Sequence, residues 1–331
     1  MTKTLLLTGA ALVGLGMSGA SAAEECGRVT LAEMNWPSAG AIAHIDKIIL
    51  EEGFGCEVEL VIGDTVPTFT SMTEKAEPDM APELWVNTIQ DPLDKAVAED
   101  KLIIGSEVLS EGGVEGFWVP TFLAEEHGLK TLADALAKPE LFPGAEDRSK
   151  GAFFNCPSGW ACQTLTTNLF AAFDVESKGF ELVDTGSAAG LDGSISRAFS
   201  RNEGWLGYYW APTPILGKYE MTRLDLGVEH DAAEWERCTA VSGCLDPKPN
   251  DWDKSPVYTV VTKEFAEKAG VAMDYVQGRS WDNATAGEVL AWMTDNQASN
   301  EDGAFWFLEN KPEVWEAWVS PEVAEKVKSA L

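Results

Sequence analysis

The fold is decided by the stretch RVTLAEMNWPSAGAIAHIDKIILEEGFGCEVELVIG, residues 28–63. Its two ends, residues 28–34 and 57–63, are short runs rich in Val, Leu and Ile that are typical of strands. Between them, isoleucines recur at helical spacing at positions 42, 45, 48 and 49. Residues 65–79 and 80–87 continue with another helix and strand. This βαβαβ order predicts a parallel sheet with helices on its faces.

The middle of the chain starts a second alternation of strands and helices. Segments that predict strands include VEGFWVP (114–120), GAFFNC (151–156), FELVDTG (180–186) and WLGYYWAP (205–212), and VYTVVT (257–262) predicts a final one. We therefore expect an α/β protein of two lobes, each a mixed or mostly parallel sheet flanked by helices. Two strands, 114–120 and 256–262, are the expected hinge. Lobe 1 is predicted to comprise residues 24–117 plus 257–331, and lobe 2 residues 118–256.

The first 23 residues predict an export signal instead of a part of the fold. Lys3 gives a positive start, and residues 4–17 (TLLLTGAALVGLGM) are apolar but too short for a stop-transfer helix. The small residues that follow allow cleavage after Ala22 or Ala23. This pattern is typical of a secretory signal peptide, with a buried helix as the alternative. We expect an exported protein located in the periplasm.

The charge of the chain limits its partners. With 54 acidic and 24 basic residues, the formal net charge is −30. Nucleic acid requires a basic surface, and so does an anionic bilayer, so both classes of partner are excluded. We expect a monomer.

All six cysteines follow the predicted signal peptide. In an oxidising compartment an even number of cysteines favours disulfides. Cys26 and Cys56 each precede a predicted strand, and neighbouring parallel strands would bring them together. Cys156–Cys162 and Cys238–Cys244 would then pair locally. This is the simplest of many connectivities, and a zinc site, which the spacings fit poorly, is the alternative.

Catalytic motifs are missing from the sequence. It contains no Gly-x-Ser-x-Gly elbow and no phosphate-binding glycine loop that ends in Lys-Ser or Lys-Thr. The three histidines are scattered, and paired carboxylates carry no signal in so acidic a chain. We therefore expect a protein that is not an enzyme and needs no cofactor.

Thirteen tryptophans are many for 331 residues. Five lie in the C-terminal region of predicted helices and two flank the predicted Cys238–Cys244 loop, where a packing role is expected. Trp36, Trp85, Trp160 and Trp210 instead follow or end predicted strands, where ligands of α/β sheets bind. Aromatic side chains at such a cleft form cages around methylated ammonium groups through cation–π attraction. For each of the four, packing in the hydrophobic core is the alternative interpretation.

Three segments that carry these tryptophans resemble one protein family. CPSGWAC (156–162), LWVN (84–87) and YYWAP (208–212) are similar to motifs of the periplasmic substrate-binding proteins of ABC transporters for glycine betaine and proline betaine, and of their relatives for choline and trimethylamine N-oxide. The resemblance covers essentially the whole mature chain. It implies a type II periplasmic binding protein that delivers a small ligand to an inner-membrane permease.

The resemblance also implies roles for single residues. Trp85, Trp160 and Trp210 would be cage walls, and Ala161 and Cys162 would offer backbone N–H groups to a ligand oxygen. Trp36 would supply a fourth wall.

The sequence departs from the family at Ile89, where the betaine binder has a histidine that helps to hold the ligand carboxylate. A buried carboxylate with too few donors is unfavourable. Trimethylamine N-oxide is therefore predicted to be favoured slightly over choline and glycine betaine. Glu115 and Glu33 are candidate acidic partners of the ligand, with a solvated surface carboxylate as the alternative.

The acidic loop CLDPKPNDWDKS (244–255) raises a separate hypothesis. Its oxygen-bearing side chains suit calcium, although their spacing is not that of an EF-hand and a solvated turn is the favoured interpretation. The candidate ligands are Asp246, Asn250, Asp251 and Asp253.

The sequence thus predicts a binding protein that captures a trimethylammonium osmolyte between two closing lobes. A secreted hydrolase of small choline or betaine esters is the alternative from another class.

Overall fold

The computed structural model describes residues 26–144 and 147–331. The predicted signal peptide, residues 1–23, therefore lies outside the described part of the chain. The strands of the described part, β1 to β10 in chain order, are Arg28–Met34, Glu57–Gly63, Met80–Trp85, Leu102–Glu107, Val114–Pro120, Gly151–Phe154, Phe180–Val183, Gly207–Ala211, Met221–Arg223 and Val257–Thr262.

Helices separate the strands and form most of the C-terminal region. The α-helices of the described residues, α1 to α15, are Pro37–Ile48, Thr65–Lys75, Gln90–Ala98, Thr121–His127, Leu132–Leu136, Cys162–Ala172, Ala188–Arg201, Pro214–Lys218, Ala232–Glu234, Lys263–Lys268, Ala272–Gly278, Asn283–Asn296, Asn300–Asn310, Pro312–Trp315 and Pro321–Ala330. Short 3-10 or π-type turns are Ile49–Gly53, Pro139–Leu141, Glu176–Lys178, Trp235–Thr239 and Glu316–Trp318.

The first sheet has the strand order β2-β1-β3-β10-β4. Strand β1 pairs in parallel with β2 and β3, as the βαβαβ pattern predicted. Strand β10 pairs antiparallel with β3 and β4, which makes the sheet mixed. All six residues of β3 are buried, because helices cover this central strand on both faces.

The second sheet has the order β7-β6-β8-β5-β9 and is also mixed. Strand β6 pairs in parallel with β7 and β8, whereas β5 pairs antiparallel with β8 and β9. The predicted two-lobed α/β fold is therefore confirmed. Strands β4 and β9 were not predicted; β9 has only three residues, too few for an alternating pattern.

The chain passes between the sheets twice. Strand β5 lies wholly in the second sheet and β10 wholly in the first, so the crossings precede both strands. The two crossing segments hydrogen-bond to each other, with Gly113 N–H donating to Ser255 O at 2.9 Å and Ser255 N–H donating to Gly113 O at 3.3 Å. The predicted lobe boundary at residues 117/118 falls inside β5 and stays a prediction.

The three predicted disulfides, Cys26–Cys56, Cys156–Cys162 and Cys238–Cys244, are present. Cys26 and Cys56 immediately precede β1 and β2, which are neighbours in the first sheet. The structure thus selects this connectivity over the zinc alternative. Across the described residues, no helix combines the length and apolar character needed to cross a membrane.

Candidate functional site

A cavity lies between the two sheets, at the carboxyl ends of their parallel strands. It is small: about 350 Å³ of space lies between its walls, and this volume includes the part that opens to solvent. Its walls combine aromatic side chains with a few polar groups: Trp36, Thr65, Trp85, Asn87, Glu115, Trp160, Ala161, Cys162, Tyr208 and Trp210. The four predicted tryptophans are thus brought together at one cavity.

Two walls come from the first sheet. Trp36 lies between β1 and α1, where Pro37 at the first helical position starts the helix. Trp85 is the last residue of β3, and its six-membered ring packs against Gly113 of the crossing segment, in the space that a Cβ at position 113 would fill. Both indole N–H groups donate to Glu83 Oε1, at 2.7 Å from Trp36 and 2.9 Å from Trp85.

The third wall is carried by the loop between β6 and α6. The disulfide Cys156–Cys162 closes this loop around Trp160. Gly159 has a φ of +91°, and a Cβ there would lie 3.2 Å from a carboxylate oxygen of Asp64 in the other lobe. Only glycine fits this conformation and this close approach. The disulfide and the turn together fix Trp160 in position.

The fourth wall is Trp210 near the end of β8. Its ring meets Trp160 edge-to-face with centroids 5.0 Å apart, and Trp160 meets Trp36 in the same way at 5.1 Å. Tyr208 stacks on Trp210 at 6.2 Å. Trp36, Trp160 and Trp210 therefore form a continuous aromatic surface with their ring planes at steep angles.

The cavity contains one ionisable acid, Glu115 of β5, which is 4% exposed. It accepts hydrogen bonds from Tyr208 Oη at 2.7 Å, Ser255 Oγ at 2.5 Å and Asn87 Nδ2. Burial raises the pKa of the Glu115 carboxyl, and these three donors partly oppose the rise. Among the lining residues that the structure describes, none is Lys, Arg or His.

The lobes are closed over the cavity by contacts from one lobe to the other. Trp160 Nε1 donates to Asn35 Oδ1 at 2.6 Å, and Val66 N–H donates to Gly159 O at 3.2 Å. Thr88 Oγ1 donates to Ala161 O at 3.3 Å. The loop that carries Trp160 is thus both a wall of the cavity and an interlobe contact.

The structure does not bring every candidate residue to the cavity. Glu33 faces Asn300, which donates to it at 2.7 Å, and His44, 3.3 Å away, and it is not a lining residue. The proposal of Glu33 as a ligand partner is therefore not supported by its position. Ile89 is 6% exposed within the first lobe and does not line the cavity.

The sequence analysis missed three lining residues, Thr65, Asn87 and Tyr208. Asn87 and Tyr208 belong to the segments LWVN and YYWAP that drew attention for their tryptophans. Thr65, the first residue of α2, carries no motif and is brought to the cavity by tertiary structure alone.

Side chains of the acidic loop mainly have protein partners. Asn250 is fully buried and bonds Asp231 and Thr239, and Asp251 accepts from Arg223 at 3.1 Å. Within residues 26–144 and 147–331, no group of three or more His, Cys, Asp or Glu side chains is placed to hold a metal ion. Calcium bound by Asp246, Asn250, Asp251 and Asp253 stays a prediction that nothing tests.

Comparison with known families decides the class of this site. Residues 27–310 match the family described as the substrate binding domain of ABC-type glycine betaine transport systems. The chain belongs to this family. As a member of a family of transporter binding proteins, this substrate-binding protein is not an enzyme, and the hydrolase alternative is not favoured.

Solved structures confirm the fold of the substrate-binding protein. It resembles an ABC-transporter choline binding protein in complex with choline, with a TM-score of 0.72, 19% identity, and coverage of 93% of this chain and 99% of that one. For the Borrelia burgdorferi glycine betaine, L-proline-binding protein the TM-score is 0.70 at 17% identity, with coverage of 91% of this chain and 99% of that one. For lactococcal OpuAC, closed and complexed with glycine betaine, the TM-score is 0.66 at 16% identity, with coverage of 88% of this chain and 99% of that one. Among curated protein sequences, none matches significantly.

Proposed function

We propose that this substrate-binding protein captures a small trimethylammonium-type osmolyte in a cage formed by Trp36, Trp85, Trp160 and Trp210, and that trimethylamine N-oxide is preferred slightly over choline and glycine betaine. The observation that carries the proposal is the composition of the cavity: four indoles and a buried carboxylate, with no basic side chain among the described lining residues.

The cage matches the chemistry of a methylated ammonium. Its methyl groups are apolar and carry delocalised positive charge, so indole faces attract them by both dispersion and cation–π interaction. Closure of the lobes removes the ligand from water, which strengthens these electrostatic contacts. Glu115, on one side of the cavity, adds a carboxylate to face the ammonium.

The oxygen end of the ligand has different partners. Ala161 and Cys162 stand at the N-terminus of α6, where backbone N–H groups and the helix dipole favour a negative or dipolar oxygen. The choline hydroxyl is neutral, and the anionic oxygen of an N-oxide is bonded directly to the positive nitrogen, so neither ligand brings a separate anionic group into the cavity. The carboxylate of glycine betaine adds a full charge beside Glu115, which is unfavourable in a closed site. This difference supports placing glycine betaine below the other two ligands.

The same proposal gives the protein a location and a partner. Proteins of the same fold include an ABC-transporter choline binding protein in complex with choline and lactococcal OpuAC complexed with glycine betaine. We infer that this chain is exported to the periplasm, acts as a monomer, and delivers its ligand to an ABC permease in the inner membrane.

Titration calorimetry with a ligand panel tests the proposal. Trimethylamine N-oxide should bind most tightly, followed by choline and glycine betaine. Trp160→Ala should weaken binding at least about 100-fold, because it removes an aromatic wall from a desolvated cage. Trp292→Ala, which removes a tryptophan stacked on Trp306 in the C-terminal helices, is the matched control. Equal binding by Trp160→Ala and wild type would exclude the cage, and strong preference for betaine would exclude the proposed order.

A further inference from the structure

A buried carboxylate lies behind two of the cage walls. Glu83 precedes Trp85 by two residues in β3, its side chain is fully buried, and it does not line the cavity. One of its oxygens, Oε1, accepts three hydrogen bonds: from Trp36 Nε1 at 2.7 Å, from Trp85 Nε1 at 2.9 Å and from Ser38 Oγ at 2.8 Å. The indoles of two cage walls thus share a single acceptor atom.

Burial of this carboxylate is unfavourable unless its bonds compensate. Desolvation raises the pKa of Glu83, and the two indole donors, Ser38 and the charge of Arg279 oppose the rise. Arg279 forms its ion pair with Asp46, at 2.7 Å, and acts on Glu83 only through its charge. The second oxygen, Oε2, has no hydrogen-bond partner among the described residues. All side-chain hydrogen bonds of Glu83 among the described residues are therefore accepted by Oε1, the oxygen that binds the two indoles.

The orientation of an indole decides whether it attracts a cation. The ring face is negative, whereas the edge, and above all the N–H group, is positive. An acceptor behind the cage turns both N–H groups away from the ligand. Because Trp36 and Trp85 come from different elements, a shared acceptor also fixes the angle between their rings.

We propose that Glu83 is a positioning residue that holds Trp36 and Trp85 with their faces toward the ligand. This inference rests on the proposed function as far as the cage is concerned. The position of Glu83 relative to the two indoles is independent of which ligand binds.

Two substitutions distinguish the effect of losing the hydrogen-bond acceptor from the effect of changing the side-chain volume. Glu83→Gln keeps a carbonyl oxygen at the same place, and Glu83→Met keeps a similar length without an oxygen acceptor. The probe is tetramethylammonium, a cation without oxygen, so its affinity reports on the ring faces and not on the donors for a ligand oxygen. Glu83→Met should weaken binding at least about 10-fold, because it leaves two buried N–H groups unpaired, and Glu83→Gln should restore most of the loss.

The proposal is overturned if Glu83→Met binds the probe as tightly as wild type, or if Glu83→Gln loses as much affinity as Glu83→Met. Dissociation constants from calorimetry decide between these outcomes, and thermal unfolding checks that both variants are folded.

A measurement without ligand keeps the test valid if Glu83→Met does not fold. In a ¹H–¹⁵N spectrum, the indole cross peaks of Trp36 and Trp85 are assigned with the Phe variants of each. Both should shift in Glu83→Gln, because a neutral acceptor replaces a carboxylate, while the cross peak of Trp292 should not. Unshifted Trp36 and Trp85 peaks overturn the positioning role. Shifted peaks in a protein that binds no quaternary amine would support that role and refute the proposed function alone.

Discussion

Trp160 of the second lobe donates its indole N–H to the side-chain oxygen of Asn35 in the first lobe, at 2.6 Å. The residue that closes the cage is therefore also bonded across the cleft. Because Trp160 is both a cage wall and an interlobe contact, we expect ligand binding and lobe closure to be coupled through this side chain.

Asn35→Ala should weaken ligand binding about threefold, because one partly exposed hydrogen bond of the closed form is lost. Asn35 does not line the cavity, so the effect should appear in the dissociation rate and leave the association rate nearly unchanged. Stopped-flow tryptophan fluorescence measures both rates. Asn296→Ala, in an exposed turn of α12, is the matched control. A slower association rate with an unchanged dissociation rate would argue against an interlobe role.

The disulfide Cys156–Cys162 should matter for binding as well as for stability. Replacing both cysteines by serine should lower the free energy of unfolding by about 2 kcal/mol, the value for closure of so short a loop, and should also weaken ligand binding. The Cys238–Cys244 pair has the same sequence separation of 6 and does not line the cavity. Its double serine variant should lose similar stability but keep its affinity. Denaturant unfolding and calorimetry give the two quantities, and equal losses of affinity would contradict a specific role for the first loop.

Glu115 should make binding of a cation dependent on pH. Burial raises the pKa of its carboxyl above the ordinary 4.5, and only the ionised form attracts an ammonium. The affinity for choline should therefore fall as the pH is lowered through the pKa of Glu115. Glu115→Gln should bind choline about tenfold more weakly at neutral pH and show little change on acidification. Calorimetric titrations at a series of pH values test this, and parallel pH profiles of the two proteins would refute it.

Asp192 should give the stability of the protein a pH dependence that is separate from binding. It accepts a hydrogen bond from Tyr209 at 2.7 Å, and burial raises its pKa from 3.8 to about 6. A carboxyl with a higher pKa in the folded state stabilises the fold at low pH, and this contribution is lost as the pH rises through about 6. Relative to Asp192→Asn, wild type should lose about 1 kcal/mol of unfolding free energy between pH 5 and pH 7.

Asn is a suitable replacement at position 192 because it keeps an oxygen for the Tyr209 hydroxyl. Urea unfolding of both proteins at each pH measures the difference. If the difference between them does not change with pH, Asp192 does not carry the predicted proton linkage.

Much of the fold could be predicted because its signals are local. Strands β1 and β2 and the helix between them have period-2 and helical patterns that extend over whole segments. Strand β9 could not be predicted, since three residues carry no period and the strand exists only by pairing with β5. The exact points at which the chain passes between the sheets could not be predicted from local patterns, because hydrogen bonds between distant segments, such as those between Gly113 and Ser255, decide where each sheet ends.

The residues of the candidate site likewise include some that the sequence could predict and some that it could not. Trp85, Trp160 and Trp210 stand at predicted strand ends in segments with family-like motifs, so their meeting at one cavity could be predicted. Glu33 was misplaced because adjacency to Trp36 in sequence does not fix the direction of a side chain. Glu83 carried a weak signal, its spacing of two residues from Trp85, which places both side chains on one face of β3. Its partner Trp36 lies 47 positions away in sequence.

The sequence by itself determined the α/β class, the two-lobed organisation and the tryptophans of the site, because hydrophobic period and strand-end position are properties of short segments. Only the tertiary structure decided which acid enters the cavity, which acid lies behind it, and which bonds close the lobes. Those outcomes depend on distances between side chains from both lobes and on the removal of carboxylates from water. These distances and this burial arise only when the chain has folded.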